Sequence, residues 1–175
     1  MYLREAIAKI AGFRYMIDHL EIHSGLGRSS LLDRVWLEDA KQIKAELERV
    51  EKMVRVVRDS RNQLVLERLK VKLSQVKDIR GTVKRLKEPV VLDDLELFEL
   101  KNLAFVAEDI REIIKDYPVV DIPCLGNLVD LLDPEQNRIP HFYIYDSYSE
   151  KLSALRAEIC LLYTSPSPRD RTRSR

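Results

Sequence analysis

Three groups of residues have types and spacings that could do chemistry. His19 and His23 lie four apart, and two imidazoles at that spacing on a helix can share a metal. The zinc-protease pattern puts glutamate directly after the first histidine. Here Leu20 follows and Glu21 comes next, and His141 is remote in sequence. No third ligand can be named, so the pair is expected on a helix face or end, open to solvent. Asp93, Asp94, Glu96 and Glu99 could form an acid–base pair. They also stand where an apolar-periodic run begins, and negative charge there complements a helix N-terminus. Ser24-Gly25-Leu26-Gly27-Arg28-Ser29-Ser30 has two glycines and a cation. It follows a helical pattern rather than a strand and lacks the glycine–lysine step of a phosphate loop, which makes it a helix–helix turn. No catalytic, cofactor-binding or metal-ligating residue is assigned.

Two further groups bear on nucleic acid. Lys70, Lys72, Lys77, Arg80, Lys84, Arg85 and Lys87 make one predicted helix strongly basic. The run reads either as a solvated helix face or as a contact to a phosphate backbone. Lys70, Lys72, Lys77, Arg80 and Lys84 are the candidate nucleic-acid contacts. Phe142, Tyr143, Tyr145 and Tyr148 could stack bases, but also suit strand packing with hydroxyls at the rim.

The elements that must carry these residues are almost all helical. Leu3, Ile7, Ile10, Phe13 or Ile17, and Leu20 stripe a helix over 2–23, with Gly25 as its left-handed cap. Ala40, Ile43, Leu47, Val50, Val54 and Val57 stripe the next, and Leu66, Leu69, Leu73, Val76, Val83 and Leu86 another. These two are expected to pair as an antiparallel hairpin across a turn at 59–62. Pro89 stops the second. Asp93 or Asp94 caps a helix that ends before Pro118 and whose wide apolar arc makes it the most buried. Two helical turns at 125–132 close at Asp133-Pro134, followed by a loop at 135–138. Phe142 to Tyr145 has the aromatic and β-branched types of a short strand. Ser149 then caps a helix striped by Leu152, Leu155 and Ile159. The expected fold class is all-α, a bundle of long amphipathic helices with one short strand near 142–145.

Residues 160–175 break this style. Pro166 and Pro168 interrupt any helix, and arginines then alternate with polar residues. The stretch reads as a disordered basic tail, and it resembles the conceptual translation of a sequencing-library adapter read through in frame. The domain is therefore drawn at 1–159. Without the tail, 26 basic residues face 28 acidic ones in place of 30 against 29, so no bulk charge favours nucleic acid. Cys124 is then the only cysteine, which fits a reducing, cytoplasmic setting. No apolar run reaches the roughly 20 residues of a membrane span, and no membrane partner is expected.

The order of these elements resembles the core and lever region of the MutS family of DNA mismatch-repair ATPases. Ser24-Gly25-Leu26-Gly27-Arg28, with Leu31-Leu32 and Trp36, resembles the opening of that core. Asp39 to Val54 resembles the helix that follows. Leu132-Asp133-Pro134 through Tyr145 to Arg156 resembles the segment leading into the long lever helix. The resemblance implies a DNA-binding parent that uses ATP and magnesium, forms a homodimer through parts outside this chain, and uses these helices to couple a DNA clamp to the nucleotide site. Neither the mismatch-reading wedge nor a nucleotide-binding loop is present in this sequence, so no catalytic residue carries over. The alternative is a stand-alone helical adaptor that binds a protein partner. A small helical hydrolase would need a site that the sequence lacks.

Overall fold

A computed structural model describes residues 2–117 and 120–164. Nine α-helices account for most of these residues, and the fold is all-α. The only β-type pairing among the described residues is an isolated bridge between Tyr2 and Val35.

The first predicted helix is two. Helix α1 (Leu3–Lys9) and helix α2 (Ala11–Asp18) meet at Ile10, whose backbone is extended. The β-branched Ile10 and the nearby Gly12 both lower helix propensity. The break lets the helices fold together and bury Ala6 and Ile17. Gly25 is not a left-handed cap: no glycine has positive φ among the described residues. Instead Ser24 is the N-cap of helix α3 (Gly25–Leu32), its Oγ accepting the Gly27 N–H at 2.9 Å. A Cβ on Gly27 would stand 2.8 Å from that Oγ. Glycine is therefore the residue that leaves this cap undisturbed.

Helix α4 (Ala40–Arg58) is capped by Asp39, and none of its residues is buried. A single 3-10 turn, Ser60–Asn62, leads to helix α5 (Gln63–Ser74). The expected α4–α5 hairpin is not the main pairing. Helix α5 packs chiefly on helix α7 (Asp94–Ile114), because α7 offers the broader apolar arc.

The second predicted helix also breaks. Val76 to Ile79 are non-helical, and helix α6 (Arg80–Arg85) starts afresh. Asp78 Oδ1 takes the Arg80 N–H at 3.2 Å, while Ile79 turns inward to form the core with Leu100 and Leu132. Burying Ile79 is worth roughly 1.5–3 kcal/mol, more than the continuation of one exposed helical turn.

Helix α7 is the most buried, as its sequence predicts. Asp93 caps it, accepting the Glu96 N–H at 2.8 Å, and Glu96 Oε2 accepts the Asp93 N–H at 3.0 Å. This reciprocal pair accounts for Asp93 and Glu96, while Glu99 accepts from the Thr82 hydroxyl at 3.4 Å. Helix α8 (Gly126–Leu132) packs on α7. The strand expected near 142–145 does not form. The chain there pairs with no strand among the described residues, and its Tyr145 backbone is extended. It passes through a 3-10 turn, Asp146–Tyr148, into helix α9 (Glu150–Thr164). Ser149 caps α9, its Oγ accepting the Leu152 N–H at 3.4 Å. This helix runs past the expected boundary at Ile159. Residues 165–175, the rest of the predicted disordered tail, lie outside the described residues.

Candidate functional site

The most constrained group of polar side chains lies where α7, α8 and the extended segment meet. Lys101 sits at the centre of the apolar face of α7. Leu97, Phe98, Ala104 and Phe105 occupy the positions three and four residues away, so the helix itself carries the ammonium into the core. Its Nζ donates to Asp133 Oδ1 at 3.1 Å, and the two side chains are 1% and 0% exposed. Asp133 follows the last turn of α8. The Tyr145 hydroxyl donates to the same Oδ1, and the Arg138 backbone N–H donates to Oδ2 at 2.9 Å. Among the described residues no buried side-chain nitrogen or oxygen lacks a partner.

The electrostatics follow from this geometry. Burial pushes the Asp133 carboxyl up, but the bonds from Tyr145, Arg138 and Lys101 together outweigh it and hold the group below the usual carboxylate range. Burial, then the bond to the charged Asp133, pushes the Tyr145 phenol well above its ordinary value. The lysine therefore meets a carboxylate, and the tyrosine stays a neutral donor. Both Gln136 and Arg138 have φ near +50°, an unfavourable region for residues with a Cβ. The Asp133–Arg138 bond closes this loop and holds that strain in place.

A second ring of contacts surrounds the first. Asp109 on α7 accepts from Lys72 at 2.8 Å and from Arg138 at 3.2 Å. Burial raises its carboxyl, but these two cations outweigh that and lower it. The Arg138 guanidinium also lies over the Phe105 ring at 4.8 Å. On the far side, the Tyr148 hydroxyl donates to the Leu131 carbonyl at 2.7 Å. Arg156 of α9 donates to the Ile144 carbonyl at 2.8 Å, pairs with Asp146, and stacks on Tyr143 at 4.9 Å. Tyr145 is edge-on to both Tyr143 and Tyr148. The segment 140–149 is thus a latch, tied inward to α7 and α8 and outward to α9. The lysine and aspartate at its centre are closed to solvent.

No family model matches the chain, and neither the curated proteins nor the solved structures compared with it give a significant match. The functional reading therefore rests on the residues.

The structure separates the candidate nucleic-acid contacts. Lys70 and Lys72 lie on α5, Lys77 in the break, and Arg80 and Lys84 on α6, so they do not share one helix face. Lys72 is committed to Asp109. Lys70 pairs with Glu67 at 3.1 Å, and Arg80 pairs with Asp78 at 2.6 Å and Asp33 at 3.6 Å. Lys77 and Lys84 are exposed. His19 and His23 do not share a helix either. Helix α2 ends at Asp18, and the His19 ring turns back to the Tyr15 carbonyl at 2.8 Å.

The latch was only half visible in the sequence. Tyr145 stands in the aromatic cluster and Asp133 at a helix stop, but no motif marks Lys101. The available signal was a lone cation with apolar residues at all four flanking helical positions.

Proposed function

We propose that residues 1–159 form the helical core and the approach to the lever of a MutS-like, DNA-associated ATPase, acting as a mechanical coupler without a catalytic site of its own. The observation that carries this reading is the identity of the latched segment. Leu132 to Arg156, the stretch that resembles the approach to the MutS lever, contains Asp133, Tyr145 and Arg156, the residues that join α7 and α8 to α9. A coupler needs such a rigid joint, because displacement of one helix is passed on only where packing and buried polar bonds leave no slack. A second observation agrees with it. Leu155 and Ile159 of α9 are each about half exposed, as on a lever helix awaiting a partner.

On this reading ATP and magnesium belong to the parent protein's nucleotide domain, DNA is bound by the parent, and the parent is a homodimer. Of the basic residues, Lys77 and Lys84 are the freest to reach a phosphate backbone, with Lys70 and Arg80 able to exchange exposed partners for it. The test uses the full-length parent. Tyr145→Phe and Asp133→Asn should lower the stimulation of ATP turnover by DNA and leave turnover without DNA unchanged. Equal stimulation in wild type and both variants contradicts the coupling role.

The alternative, a stand-alone helical adaptor, draws on a different feature. An apolar cleft of about 280 Å³ lies between α4, α5 and α7, lined by residues including Met53, Val56, Leu66, Leu69, Ile110 and Ile114.

A further inference from the structure

Helix α4 contributes little to its own domain. It spans 19 residues without one buried side chain, yet its sequence is strongly patterned. Ala40, Ile43, Leu47, Val50, Val54 and Val57 follow one another at alternating steps of three and four, the spacing of a coiled-coil seam. Ile43 and Val54 are 38% exposed, Val57 55%, Val50 56% and Leu47 64%. A helix of this length gains most of its stability from packing its apolar face. Here that face is open.

We propose that the seam of α4 pairs antiparallel with α4 of a second copy of this chain. The spacing is self-complementary. With the helices opposed, Ala40 meets Val57 of the second copy, Ile43 meets Val54, and Leu47 meets Val50. The flanking charges choose the orientation. Lys44, Glu51 and Arg58 line one edge of the seam, and Asp39, Glu46 and Met53 line the other. In the antiparallel pair Lys44 of each copy faces Glu51 of the other, giving two attractive contacts, while Glu46 faces Met53. In a parallel pair Glu46 would face Glu51 twice, which is repulsive, against two Asp39–Lys44 contacts.

Among the described residues nothing forbids this contact. Lys44 and Glu51 are exposed. The present partner of Glu51 is Arg55 one turn on, an exposed pair that is worth little. Val50, Val54 and Val57 also wall a groove of about 510 Å³ beside Val120, which leaves room for side chains from a second helix. The seam covers fewer than three heptads, so the dimer belongs to the small, weak class and depends on concentration. This inference does not rest on the MutS-like reading, and it places the contact away from the parts through which that parent is expected to dimerise.

Sedimentation equilibrium of the full chain tests it. A monomer–dimer equilibrium is expected within concentrations of up to roughly 0.2 mM. Val50→Asp should raise the dissociation constant at least about tenfold with helix content by circular dichroism unchanged, since the face packs on no core. Lys44→Glu and Glu51→Lys should each weaken association, and an equimolar mixture of the two should restore it. A chain that stays monomeric over this range, a Val50→Asp variant that associates as before, or a Glu51→Lys variant that associates more tightly (the parallel arrangement) would each overturn the proposal.

Discussion

Lys101 and Asp133 stand 32 residues apart in sequence and 3.1 Å apart in space, with both side chains closed to solvent. A buried ion pair adds little over a well-packed apolar pair, yet removing one member is costly, because the other charge is left in a medium that cannot solvate it. Lys101→Met should therefore destabilise the domain by about 3–5 kcal/mol in urea unfolding. The double variant Lys101→Met/Asp133→Asn should lose less than the sum of the two single losses, since they act on one shared interaction. Additive losses would mean that the two residues contribute independently.

Tyr145→Phe removes one bond to a charge and leaves Asp133 its bonds to Lys101 and the Arg138 N–H. The expected loss is about 1.5–3 kcal/mol, smaller than that of Lys101→Met, with thermal unfolding as the readout. A null effect would show that the hydroxyl does not support the latch.

The latch also sets a pH dependence at both ends. The Asp133 carboxyl is lowered in the fold, after burial is outweighed by its donors, and Asp109 is lowered in the same way. Their contribution is present above the ordinary carboxylate range and is lost as pH falls through the lowered values. The Tyr145 phenol is raised, first by burial and then by Asp133. Its contribution is full below the ordinary phenol range near pH 10 and fades only as pH rises through the raised value. Stability measured against pH should fall at both extremes. Asp133→Asn should flatten the acid limb and Tyr145→Phe the alkaline limb.

Two glycines should respond differently to alanine. At Gly81 a Cβ meets nothing within 4 Å, so Gly81→Ala should stabilise by roughly 0.5–1 kcal/mol through helix propensity and a stiffer unfolded chain. At Gly27 the new Cβ disturbs the Ser24 cap, and loss of about 1 kcal/mol of capping offsets a similar gain in propensity. Gly27→Ala should leave the melting temperature nearly unchanged. A rise equal to that of Gly81→Ala would show that the cap contributes nothing.

The basic residues divide into structural and exposed ones. Lys72→Glu should destabilise the fold, because it sets a second carboxylate beside Asp109, whereas Lys77→Glu/Lys84→Glu should not. If the exposed cations meet DNA, the second variant loses a salt-dependent shift of duplex DNA that the wild type shows. Absence of any wild-type shift at low salt would end that idea.

Much of the helical content was legible from apolar periodicity, and the cap at Ser149 from residue type alone, with Asp93 and Asp94 left as alternatives for the cap of α7. The breaks at Ile10 and at 76–79 were not. Periodicity continues across them, and it is the gain from turning Ile79 into the core that interrupts the helix. The pairing of α5 with α7 rather than α4 was hidden for a similar reason: neighbours in sequence compete with a more apolar surface farther along the chain. Phe142 to Tyr145 has strand-forming residues, but no second strand pairs with it among the described residues, and its side chains are held by helices instead. Lys101 is hard to see in the sequence because one lysine in a helix is ordinarily a surface residue, and only its four apolar flanking positions mark it as buried.

The coupling account is tested most directly by an independent read of the source DNA across the codon for Ile159. The account predicts a frame that continues into a lever helix, a glycine-rich loop ending in Gly-Lys-Ser or Gly-Lys-Thr, and an acidic strand end. A frame that encodes Cys160 to Arg175 and then stops would contradict it, and the helical adaptor reading would take its place.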